Sequence, residues 1–149
     1  MAQQPTVKLD PTVWGPHYWF FLHTIAINYP HYPNSVTKKK YYEFVKMLPL
    51  FIPVEQIANE FNQLLEEYPV VPYLDNRDSF VRWMHFIHNK INEKLEKPKI
   101  SLGEFYKKYY DEYKPKQVKA MEYIKLKQKG IYAGVILVVG GIIYYLYDK

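Results

Sequence analysis

The stretch FVRWMHFIHNKINEKLEKP, residues 80–98, decides the fold. Phe80, Trp83, Met84, Ile87, Ile91 and Leu95 recur at steps of three and four, which aligns them along one side of an α-helix. A helix is therefore expected over about Asp78–Glu96, with that stripe turned inward. His85, His88, Asn89 and Asn92 fall on a second face, roughly 120° round the same helix. Asn is a weak residue for a helix interior, so two on one face ask for a reason. A solvated polar strip is the plain reason. The sharper one is a row of donors and acceptors beside aromatic surface, which suits a planar heteroaromatic ligand.

The same periodicity continues on both sides. VWGPHYWFFLHTIAINY, residues 13–29, is apolar almost all round, and its stripe of Trp14, Tyr18, Leu22, Ile25, Ala26 and Tyr29 marks a central helix. PHYPNS closes it with turn residues. Thr37 is expected to cap a second helix running to about Phe51, with Tyr41, Phe44, Val45 and Leu48 inward. Pro53 is expected to open a third, to about Glu67, burying Ile57, Phe61, Leu64 and Leu65. SLGE at 101–104 has the form of a capping box and starts a short fifth helix reaching about Tyr113. No alternating strand pattern and no internal repeat interrupts these segments. The expectation is an all-α chain: a four-helix bundle plus a short fifth helix over residues 11–113, behind a flexible arm at 1–10.

Beyond the bundle, residues 114–129 form a basic neck and residues 130–147, GIYAGVILVVGGIIYYLY, carry no charge. Eighteen such residues meet the length of a membrane span. Tyr132 and the Tyr144, Tyr145 and Tyr147 group sit where interfacial aromatics belong. Lys125, Lys127 and Lys129 precede the span, and a single lysine follows it. That bias predicts a tail anchor with the N-terminal domain on the cytosolic side. Gly130, Gly134 and Gly141 share a face of this transmembrane helix.

Composition excludes several chemistries. The 149 residues contain no cysteine, so neither disulfides nor thiol reactions belong to the chain as written. His85 and His88 have usable metal spacing, but no third ligand joins them, and no metal is expected. Lys38–Lys40 is too short a basic run to argue nucleic-acid binding, and a net charge of +5 adds little. His23 reads as a core histidine of the first helix.

Two motifs carry a resemblance. WGPHYWFFLHTIAINYP at 14–30 resembles the WGxxxWxxLHTxAxxYP opening of the Erv/ALR family of FAD-linked sulfhydryl oxidases. FVRWMHFIHNKINEKLEKP at 80–98 resembles that family's WxxxxHNxVNxxLGKP segment. The resemblance covers about residues 11–113 and implies a helical bundle holding FAD at its mouth. It assigns Trp14, Gly15, Trp19, His23 and Tyr29 to the flavin and adenine pockets. From the fourth helix it adds His85, His88, Asn89, Asn92, Lys94 and Lys97, the lysines meeting the diphosphate. It also implies pairing as a homodimer. Short members of the family occur in large DNA viruses, and by analogy a span of this kind joins a viral inner membrane to the capsid.

The departures are specific. Pro16 follows Gly15, His85 stands where a cysteine is frequent, and Glu96 replaces the glycine of LGKP. FIPVEQIANEF at 51–61 falls where the family has PCxxCxxxF, which puts Val54 and Ile57 at the two redox cysteines. In the family a thiolate of that pair passes electrons to the flavin, which reduces oxygen. The expectation is a catalytically silent flavin-binding or interaction module on a membrane. The alternative is an active FAD-dependent thiol oxidase whose cysteine pair has been replaced in this sequence.

Overall fold

The computed structural model describes residues 9–148, so most of the expected N-terminal arm lies outside the described residues. Among the described residues six α-helices follow one another: α1 Pro11–Ile27, α2 Ser35–Met47, α3 Glu55–Glu67, α4 Arg77–Lys94, α5 Leu102–Asp111 and α6 Lys116–Tyr147. No strand occurs among the described residues. The chain divides into two units, one up to Tyr106 and one from Lys107 onward.

In the first unit α1 packs along α4, and α3 lies against α4. The core runs along the α4 stripe: Phe80, Val81, Trp83, Met84 and Ile87 are buried with Tyr29 and Val45. Phe80 stacks on Trp83 with ring centres 6.1 Å apart, and the Tyr29 ring meets Phe80 at 5.1 Å and Tyr41 at 4.5 Å. Removing each such large apolar side chain from water contributes on the order of 1.5–3 kcal/mol, so this aromatic cluster carries much of the bundle. Polar atoms inside it are satisfied locally. The Tyr29 hydroxyl donates to the Leu74 carbonyl at 2.8 Å, and the Trp83 indole donates to the Tyr68 carbonyl at 3.1 Å.

Caps set the helix ends. Asp10 accepts from the Thr12 amide at 2.8 Å, and Pro11 occupies the first turn, where its missing N–H is harmless. Asn76 caps α4 through the Ser79 amide. Both bonds of the 101–104 capping box form, Glu104 Oε2 accepting from the Ser101 amide and Ser101 Oγ from the Glu104 amide.

Four boundaries differ from expectation. Asn34, not Thr37, caps α2; the Thr37 amide is the donor it satisfies at 2.8 Å. The α-helix stops at Met47, and Leu48–Phe51 tighten into a 3₁₀ turn around Pro49, which has no N–H to continue the ladder. Val54 rather than Pro53 is the N-cap of α3, which begins at Glu55. Leu95 leaves the stripe and is 49% exposed, because α4 ends at Lys94 and the chain turns there.

The turn after α4 is a complete Schellman motif. Glu96 N–H bonds the Glu93 carbonyl at 3.1 Å and Lys97 N–H bonds the Asn92 carbonyl at 2.8 Å. That geometry needs a left-handed residue between them, and Glu96 supplies it at φ 54°.

In the second unit the expected neck and span form one continuous helix. At about 1.5 Å per residue, the 32 residues of α6 extend about 48 Å. Its later portion is long and apolar enough to cross a membrane by length and composition.

Candidate functional site

The α1–α4 packing brings together the residues that the two motifs single out. His23 on α1 and His88 on α4 share a hydrogen bond, Nε2 to Nδ1, at 2.8 Å. Trp19, one turn before His23, stacks nearly parallel on the His88 ring, 4.0 Å between centres and 8° between planes. Phe105 closes the cluster from α5, 4.4 Å from the His23 ring. Four aromatic rings from three helices thus meet at one place in the bundle.

His23 is 5% exposed. Burial, and then the neighbouring His88 and His85, push its pKa down from 6.5 to about 3. The ring is therefore neutral at pH 7, with one nitrogen protonated. Its Nε2 is engaged by His88, while Nδ1 is buried with no hydrogen-bond partner. Whichever tautomer forms, one buried polar atom is left unmatched, at a cost of about 1–3 kcal/mol. Asn92, 9% exposed on the same side of α4, uses its carbonyl to end the helix and has no hydrogen bond from its side-chain amide among the described residues. An orphaned ring nitrogen and an unspent amide beside stacked aromatics match what a heteroaromatic group with polar edges requires.

The other expected site residues divide by location. Asn89 is spent on the backbone: its Nδ2 donates to the Ile100 carbonyl and its Oδ1 accepts from the Ile100 amide, both at 2.9 Å. His85 Nε2 donates to the same carbonyl at 2.8 Å, which fixes its proton on Nε2. Together they clamp the loop between α4 and α5. Tyr29 is not in the cluster; it lies in the core with its hydroxyl committed to Leu74, and burial pushes its phenol pKa up. Trp14 sits near the start of α1, edge-on to Tyr18 at 4.9 Å, with its indole donating to the Leu9 carbonyl. Gly15 has open space where a Cβ would stand. Lys94 and Lys97 are exposed around the Schellman turn.

Val54 and Ile57 lie half-buried at the start of α3. Position 54 is the N-cap and position 57 is in the first turn. Phe61, one turn further along the same face, stands 6.4 Å from Trp19. Ile57 thus shares a helix face with a ring that neighbours the aromatic cluster. Phe105 was missed as a site residue by motif reading; its only sequence signal was its place four residues after Ser101, on the inner face of a capped helix.

Comparison with known proteins follows the same lines. The Erv1 / Alr family model matches residues 16–111. The mitochondrial FAD-linked sulfhydryl oxidase ERV1 of Saccharomyces cerevisiae is 31% identical over 107 residues, covering 70% of this chain and 56% of that protein. A probable FAD-linked sulfhydryl oxidase of Acanthamoeba polyphaga mimivirus is 31% identical over 85 residues, 56% of this chain and 59% of that one. The chain thus spans just over half the length of these relatives. The crystal structure of the yeast Erv1 core superposes with a TM-score of 0.63 at 29% identity, over 74% of this chain and 96% of that one.

Proposed function

The chain belongs to the Erv1/Alr family, and on that premise we propose that it is a membrane-bound, FAD-binding member that does not oxidise thiols. The single observation that carries the reading is the start of α3, where Val54 and Ile57 replace the dithiol in a chain without cysteine.

The residues present fit the cofactor. His23 Nδ1 and the Asn92 amide lack partners, and Trp19, His88 and Phe105 provide aromatic surface. In this reading Trp14, Gly15, Trp19, His23, His88 and Asn92 hold FAD, and Lys94 and Lys97 meet its diphosphate. Lysine is suited to that task as a compact cation. His85 and Asn89 act at one remove, holding Ile100 and with it the loop that follows the lysines. Tyr29 supports the α1 end from the core. When bound, FAD supplies a two-electron acceptor that oxygen can regenerate. The chain's own contribution stops short of that chemistry. Disulfide formation needs a thiolate to attack and to hand on electrons, and an alkyl side chain has no lone pair or labile proton for either step.

Residues 130–147 serve as the membrane span in this proposal, and the lysines before it favour a cytosolic domain. A relative in a mimivirus supports a viral setting, and in this proposal the silent domain stands on an internal membrane and links it to the capsid.

The test uses the full chain purified in detergent. Its visible spectrum should show bound flavin, and it should leave a dithiol substrate unoxidised until Val54→Cys and Ile57→Cys are introduced together. A chain that takes up no added FAD overturns the cofactor assignment. Oxidation by the unmodified chain overturns the silence.

A further inference from the structure

The lysines around α6 are of two kinds. Two near its start are paired with carboxylates: Lys114 with Asp111 and Glu122, each at 2.8 Å, and Lys119 with Glu112 at 3.0 Å. These bonds tie the end of α5 to the first turns of α6. Lys125, Lys127 and Lys129 have no such partner among the described residues. Glu122 is already held by Lys114, and no acidic residue occurs from 123 to 147. At about 100° and 1.5 Å per residue, Lys125 and Lys129 stand on one side of the helix and Lys127 on the other, all within about 6 Å of axis. They form a collar of three unneutralised cations, and the uncharged stretch begins at the next residue, Gly130.

We infer that this collar binds the headgroups of anionic phospholipids in the leaflet that α6 enters. The inference rests on the reading of 130–147 as a membrane span. If that stretch fills the hydrocarbon region, the collar stands in the headgroup layer, within one Debye length of the lipid phosphates and carboxylates. Because the cations surround the helix, they attract anionic lipid from every side rather than through one face. Lys116 also lacks a carboxylate partner, but it lies about 20 Å above Gly130 along the helix, outside that range. It therefore serves as an internal control. Each lysine in reach favours an anionic over a zwitterionic neighbour by up to about fivefold, equivalent to 1 kcal/mol at 1.4 kcal/mol per tenfold.

The full chain reconstituted in phosphatidylcholine bilayers, with a trace of spin-labelled phosphatidylserine or spin-labelled phosphatidylcholine, tests this by electron paramagnetic resonance. The fraction of each label immobilised beside the protein gives its relative association. The serine lipid should be favoured several-fold, and high salt should reduce the preference. K125Q/K127Q/K129Q should bring the ratio close to one, whereas K116Q should leave it unchanged. Equal association of both lipids with the unmodified chain, or a preference that survives the triple variant, overturns the collar while leaving the span intact. Absence of any immobilised lipid overturns the span, and the collar with it.

Discussion

Glu96 is the position where the sequence opposes its own backbone. It occupies the left-handed residue of the Schellman turn that ends α4, at φ 54°, where Glu93 and Asn92 accept the closing hydrogen bonds. A Cβ in that conformation costs about 1–2 kcal/mol. Glycine removes the clash but loses about 0.4–1 kcal/mol of advantage through the freer unfolded chain. Glu96→Gly should therefore stabilise the bundle by about 0.5–1 kcal/mol. For a domain of roughly 100 residues that is a rise in Tm of about 2–8 °C. Thermal unfolding of the full chain in detergent, followed by tryptophan fluorescence, reads this cleanly, because Trp14, Trp19 and Trp83 all lie in the bundle. Glu96→Ala separates strain from charge: it removes the carboxylate and keeps the Cβ. If alanine stabilises as much as glycine, backbone strain is not the cause and the argument fails. The two variants should behave alike in FAD binding, since both take a negative charge from between Lys94 and Lys97; tighter flavin retention by glycine alone would contradict the assigned electrostatics.

Other consequences follow from named contacts. His23, depressed from 6.5 to about 3, is neutral in the fold and takes a proton when unfolded below pH 6.5. Its contribution is complete above 6.5 and falls by about 1.4 kcal/mol per pH unit down to about 3, a slope that denaturant titrations should show and His23→Leu should flatten. Asn89→Ala removes two hydrogen bonds to Ile100 and should cost about 1–3 kcal/mol in the same titrations, with the α4–α5 loop exchanging its amides faster. Tyr29→Phe orphans the Leu74 carbonyl in the core and should cost about 1–2 kcal/mol without altering the flavin spectrum; a spectral change would move Tyr29 into the site. Val54→Cys places a thiol at the N-cap of α3, where helix-end amides favour the thiolate, so its alkylation rate should titrate below the usual cysteine range.

The helices were legible because their evidence is local. Three- and four-residue spacing and the Ser101–Glu104 pair each act within one turn, and both appear as expected in the structure. The α4 stripe was legible up to Ile91 and failed at Leu95, since periodicity does not register where a helix stops. Capping was harder to place. Asn34 and Thr37 are both good cap residues, and only backbone geometry decides which one accepts. The site was legible as a set of residues but not as a division of labour. Periodicity put His85, His88, Asn89 and Asn92 on one face, yet Ile100 captures His85 and Asn89, while His88 pairs with His23 of α1. That capture depends on a loop returning across the helix, a long-range fact with no periodic signature.

The structure also explains how the fold accommodates valine and isoleucine at 54 and 57. Val54 and Ile57 are only half-buried, and their helix is fixed further along by Phe61, Leu64 and Leu65. Apolar side chains at 54 and 57 fill space that buried cysteine would also fill, so packing places little demand on sulfur there. The aromatic cluster is built from α1, α4 and α5, and it reaches α3 through the Trp19–Phe61 contact. The aromatic cluster and the 54/57 pair thus rest on different helices. The pair therefore lies apart from the buried orphan at His23 Nδ1, a feature that costs stability unless something binds it. An apolar residue at 23 would remove that orphan, so on stability alone histidine is the poorer choice there.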